Sequence, residues 1–191
     1  MRKRRLFIGF ILLAAVSIVI GLILYIRPTD QLDLRYSEIS WKDKLFAMAE
    51  TRRAELTLSE RELNQLAKKA LTEYLEKNDL PVTVTGAEFQ LNGDRLEARI
   101  HVSWGALEAG FRAGYRMEYS AGQLTLTPEF LRARRLELSP GTFGLKPITV
   151  QLDAALPDVV RIKAVDFQEH SLRMRFALDW IELAGYLETW L

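Results

Sequence analysis

Few residues in this chain could do chemistry. Among its 191 residues there are two histidines and no cysteine. His101 alternates with Arg99 and Ser103 along a stretch of period two, which puts it on the polar side of a predicted strand. His170 follows Glu169 in a predicted turn between two further strands. Neither has a second histidine at helical or strand spacing, so a zinc site lacks its usual ligands. Both are read as exposed, dispensable surface residues. Without cysteine there is no thiol nucleophile. No serine stands in a G-x-S-x-G elbow, and no glycine-rich loop has the phosphate or dinucleotide spacing. Ser139-Pro140-Gly141-Thr142-Phe143-Gly144 is glycine-rich, but it follows a strand into a proline-containing loop and reads as a connection. The carboxylates are spread as solvated charges. The expectation is a protein that is not an enzyme and uses no metal and no cofactor.

Paired basic residues are the next candidates. Arg132 and Arg134, Arg161 and Lys163, and Arg173 and Arg175 are each spaced by two, so each pair shares one strand face. They make either a solvated outer face or a local cationic patch for lipid headgroups. Nucleic acid is disfavoured by the charge balance. The chain has 26 basic and 25 acidic residues, but five of the bases, at positions 2–5 and 27, belong to an N-terminal segment with no acid in it. Removing those five leaves 21 bases against 25 acids, a mildly acidic domain, whereas nucleic-acid binding rests on phosphate neutralisation.

That N-terminal segment is Arg2, Lys3, Arg4 and Arg5 followed by an unbroken apolar run from Leu6 to Ile26. About 20 residues at 1.5 Å each match the roughly 30 Å hydrocarbon core of a bilayer. A signal peptide normally has a shorter apolar stretch and a small-residue cleavage site, and Tyr25-Ile26-Arg27-Pro28 is a poor one. The segment is expected to be an uncleaved single-pass anchor, with an atypical signal peptide as the alternative. The basic cluster places the N-terminus in the cytoplasm and the main domain outside. Residues 1–27 are then stub and anchor, 28–40 a tether, and 41–191 one extracytoplasmic domain.

The elements of that domain announce themselves by their caps. Ser40 can cap a helix from Trp41 to near Arg53 that places Trp41, Leu45, Met48 and Ala49 on one face. At Ser59 the apolar spacing changes from two to helical, because Ser59 and Glu62 form a capping box with Leu58 and Leu63 as its staple. The helix runs to about Lys77, with Asn64, Gln65, Lys68 and Lys69 on its solvent side. From Val82 onward the chain alternates as half-buried antiparallel strands do, with turns at Asn92-Gly93 and Ala121-Gly122 and a break at Pro128. Glycines 105, 110 and 114 favour bends. Asp179 and Glu182 repeat the capping box and predict a C-terminal helix. The fold class is α+β: a curved antiparallel meander against one long helix, with a helix at the C-terminus.

The portion LDLRYSEISWKDKLFAMAETRRAELTLSERELNQLAKKAL, with VTVTGAEFQLNGDRLEARIHVSWG after it, resembles the YpmS-like family of membrane-anchored Gram-positive proteins. That family supplies no catalytic residues. Leu58-Ser59-Glu60-Arg61-Glu62-Leu63-Asn64 also resembles, more loosely, the strand-to-helix entry of tubular lipid-binding domains. This second resemblance implies a sheet wrapped around a helix with a cleft for acyl chains. Phe89, Trp104, Phe111, Tyr115, Leu124, Met174 and Phe176, each on the apolar side of its strand, are the candidate liners. The leading expectation is a lipid-binding or lipid-handling domain. The alternative is an envelope module that positions a partner protein.

Overall fold

The computed structural model describes residues 17, 20, 21, 24–152 and 160–178. Most of the expected anchor and all of the expected C-terminal helix lie outside the described residues. Among the described residues no helix is long and apolar enough to cross a membrane.

Helix α1 (Trp41–Thr51) starts where Ser40 accepts the Asp43 amide and stops where Arg52 turns left-handed at φ 50°. Strand β1 (Glu55–Ser59) runs directly into helix α2 (Glu60–Lys77). At that junction the Glu62 amide donates to Ser59 Oγ at 3.4 Å, and the Ser59 amide donates to Glu62 Oε2 at 2.9 Å. The capping box is complete, and it ends the strand by serving donors that the new helix would leave unpaired.

Strands β2 (Thr83–Asn92), β3 (Arg95–Trp104), β4 (Leu107–Ser120), β5 (Gln123–Ala133) and β6 (Leu136–Leu138) form a continuous antiparallel meander. The short strand β7 (Ile148–Gln151) pairs with the first half of β5, and β6 with its second half. Strands β8 (Val160–Gln168) and β9 (Ser171–Leu178) do not extend this meander. They join β1 in a separate three-stranded sheet of order β1-β9-β8. The molecule is therefore α+β with two antiparallel sheets where the sequence suggested one.

Two local expectations shift. Asn92 pairs with Arg95, so the two-residue turn is Gly93-Asp94, with Gly93 at φ 60°. The Asp94 carbonyl accepts the Met117 amide at 2.7 Å and its carboxylate takes Arg116 at 3.0 Å, which ties the turn to β4. Pro128 does not break β5. The register slips between Gly114 and Tyr115 opposite Pro128 and Phe130, and a bulge is where a strand tolerates a residue with no N–H.

The main core lies between the small sheet and the helices. Leu45 and Met48 of α1, Leu56 and Leu58 of β1, and Leu172, Met174 and Phe176 of β9 are buried together, with Leu63 and Leu66 of α2 packed against them. Each such side chain contributes about 1.5–3 kcal/mol by leaving water. α2 then continues along β2, the edge of the larger sheet.

Candidate functional site

Cross-strand partners share a face, so the register sorts the larger sheet into two layers. One layer is apolar from edge to edge. Ala87 faces Ile100 and Phe111; Phe89 faces Ala98, Ala113 and Leu131; Leu91 faces Leu96 and Tyr115. Farther along, Met117, Leu126 and Ile148 align, as do Tyr119, Leu124 and Val150. Small residues at 98 and 113 are buried beside Leu91, Met117 and Leu131, while Phe89, Phe111, Tyr115 and Leu124 are half-buried. Burial pushes the Tyr115 hydroxyl above its ordinary pKa. At the margins the layer opens to solvent, with Leu136 48%, Ile148 49% and Val150 41% exposed.

The opposite layer is charged. Glu88, Arg99, Arg112, Arg132 and Glu137 stand abreast on five successive strands. Like charges directly opposite one another are unfavourable, and the row is held by its neighbours. Arg99 forks to Glu88 and to Asp30 Oδ2, the latter at 3.2 Å. Arg132 reaches Glu137 at 3.5 Å and lies over the Phe130 ring at 4.6 Å, while Arg112 is 3.9 Å from Glu97. The Phe130 ring itself rests on Gly114, where a Cβ would come within 2.1 Å of it.

Residues 28–40, expected as a tether, form neither helix nor strand, yet their contacts are specific. The Leu32 backbone crosses so close to Gly86 that a Cβ there would sit 2.3 Å from the Leu32 carbonyl oxygen. The Ala87 amide donates to the Asp33 carbonyl at 3.2 Å, and the Phe89 amide to Asn64 Oδ1 at 2.9 Å. Donors on the exposed edge of β2 are thereby occupied, which blunts an edge that would otherwise template pairing. Lys68, expected on the solvent side of α2, is instead the helix's one buried residue, with Nζ 3.2 Å from Asp33 Oδ1. The Lys68 hydrogen bond outweighs burial and, helped by its charge and by Arg35, holds Asp33 below its ordinary pKa. Gln65 accepts the Ser37 amide at 2.6 Å, and Lys69 lies 3.4 Å from Glu38.

The histidines part company. His170 is exposed, as expected, with Nδ1 2.8 Å from Glu60 Oε2. His101 is buried at 8% exposure, because residues 28–32 lie over its side of the sheet; its Nε2 is 3.5 Å from Asp30 Oδ1. Alternation placed His101 on the polar face correctly, but a covering segment remote in sequence was invisible to it.

The seven candidate liners are divided between the two sheets. Phe89, Phe111, Tyr115 and Leu124 share the apolar layer of the larger sheet. Trp104, on the same layer, lies at its end and is 69% exposed. Met174 and Phe176 belong to the other sheet and are buried in its core. Two open depressions, of about 470 Å³ beside Arg53, Glu55, Lys163, Arg175 and Phe176 and about 530 Å³ beside Arg27, Asp30, Gln31, His101 and Glu108, are lined mostly by charged and polar side chains. Among the described residues no cluster of three or more histidine or carboxylate groups could hold a metal ion. Two of the six paired bases meet carboxylates: Arg175 with Asp166 at 3.2 Å and Arg132 with Glu137 at 3.5 Å.

No protein-family model, curated protein or solved structure matches the chain.

Proposed function

We propose that the chain is a non-catalytic, membrane-anchored domain outside the cytoplasmic membrane that handles lipid acyl chains on the apolar layer of its larger sheet. The observation that carries this reading is the layer itself, continuous over the sheet and uncovered at Leu136, Ile148 and Val150. Soluble proteins rarely leave extended apolar patches without a use for them. Each methylene held there contributes roughly 0.8 kcal/mol, and ordering costs leave micromolar or weaker binding as the expected strength. The resemblance to YpmS-like and tubular lipid-binding chains points the same way, toward a sheet curved against α2.

An interaction module for another envelope protein is the second reading. It is favoured by the closure of the core around Met174 and Phe176, which removes two of the seven liners from any shared cleft. Native mass spectrometry of the full chain, released gently from membranes, separates the two. Bound phospholipid or fatty acid at defined stoichiometry is expected. A lipid-free chain that co-purifies with one stoichiometric protein would favour the module.

A further inference from the structure

The two ends of the larger sheet differ in a way that bears on how the domain meets a bilayer. At one end the last residues of the apolar N-terminal run are fastened to two turns. Arg27 Nε lies 3.3 Å from Glu108 Oε2, just after the β3–β4 turn. Arg134, in the β5–β6 turn, donates from Nη2 to the Arg27 carbonyl at 2.9 Å, and its guanidinium lies 5.3 Å over the Tyr25 ring. Trp104 and Leu107, which pair across the β3–β4 turn, are 69% and 39% exposed, and Leu136 beside the second turn is 48% exposed. Arg134 and Arg135 are exposed as well. At the other end, about 30 Å away along ten residues of β3, the Gly93-Asp94 turn meets Glu169 of the small sheet through a 3.4 Å backbone hydrogen bond.

We propose that the β3–β4 and β5–β6 turns form a membrane-surface contact, with Trp104 among the lipid headgroups and Arg134 and Arg135 on anionic lipid phosphates. This rests on the anchored reading above, since it is the exit of residues 25–27 that brings this end to the bilayer. An exposed tryptophan and a tyrosine flanked by arginines have the chemistry of the membrane–water interface, where an amphipathic ring keeps one part dry and one part wet. Basic residues there gain from the negative surface of anionic lipids. The contact would fix the domain upright, with Leu136 of the apolar layer next to the lipid and Ile148 and Val150, beside the first half of β5, toward the far end.

The cysteine-free chain makes a clean test. The full chain carrying Ala106→Cys or Asn92→Cys is labelled with a nitroxide and reconstituted into vesicles of phosphatidylglycerol and phosphatidylcholine. Spin relaxation by lipid-soluble oxygen and by a water-soluble nickel complex is then compared. The expected result is a shift toward oxygen at position 106 and toward nickel at position 92. A label at 106 as nickel-accessible as one at 92, in protein that resists alkaline extraction from the vesicles, overturns the contact and leaves the anchor intact. A label at 106 shielded from both reagents overturns it in favour of a protein neighbour. Release of the protein by alkali overturns the anchored reading, and the contact with it.

Discussion

The two sheets obey the same alternation and reach opposite ends. In the three-stranded sheet the apolar face is sealed by α1 and the start of α2, and Met174 and Phe176 are each 7% exposed. In the six-stranded sheet the apolar face is buried at its centre, at Leu91, Ala98, Ala113, Met117 and Leu131, and open at its margins, while the charged face is covered only where residues 28–33 lie over Gly86 and His101. Alternation fixes which side of a strand is apolar; what covers that side is decided by elements distant in sequence. The small sheet's apolar side chains are enclosed, and exposed apolar surface remains at the margins of the large sheet, at Trp104, Leu136, Ile148 and Val150.

The sharpest way to break this contrast is to truncate one aromatic side chain in each sheet. Phe176→Ala should cost about 3–5 kcal/mol, the usual loss for a sealed core aromatic. Tyr115→Ala, on the half-buried layer, should cost less than half of that, as measured by urea denaturation. Equal losses would mean that the large sheet is as closed as the small one.

Gly86→Ala tests the covered face. The added methyl meets the Leu32 backbone, which cannot rotate away, so the segment or the strand must move at a cost of about 1–3 kcal/mol. Hydrogen exchange should rise at the Ala87 amide and leave β9 unchanged. Protection lost equally in both sheets would show that the segment is integral to the whole fold. Ser59→Ala should cost about 1 kcal/mol through the lost cap, with faster exchange in the first turn of α2.

The smallest effect is set by pH. Asp33 and Glu62 are both held below their ordinary pKa. For Glu62, burial pushes upward but is outweighed by the hydrogen bond from Lys44 and those from the Ser59 amide and hydroxyl. Groups with depressed folded values bind protons more readily when unfolded. Their stabilisation is therefore complete above about pH 5 and is lost as pH falls through about 4 toward the depressed values. Exchange in residues 28–38 should accelerate in that window, and Lys68→Met should remove Asp33's share of the dependence. An unchanged pH profile in that variant would deny the Lys68–Asp33 pair its role.

Local chemistry was legible in the sequence. Both caps, the extent of α2, the meander and its apolar side follow from Ser40, Ser59, Glu62 and period two. Partnerships across long separations were not. Nothing near Lys68 marks it for burial, since its partner Asp33 lies 35 residues away. His101 reads as exposed until Asp30 is placed above it. The liners at 174 and 176 share a period with those at 111 and 115, and only strand pairing shows that they belong to different sheets. Gly86 was the available signal for close backbone approach, since glycine inside a strand suggests another chain crossing.

The central claim is that lipid meets the large sheet and not the small one. The full chain, in membranes fed a photoactivatable fatty acid, can be irradiated, digested and mapped for adducts. The account predicts adducts in β4, β5 and β7, at Tyr115, Leu124 and Val150 or their neighbours, beyond those on the N-terminal apolar run. Adducts confined to residues 1–27, or found at Met174 and Phe176, would contradict it.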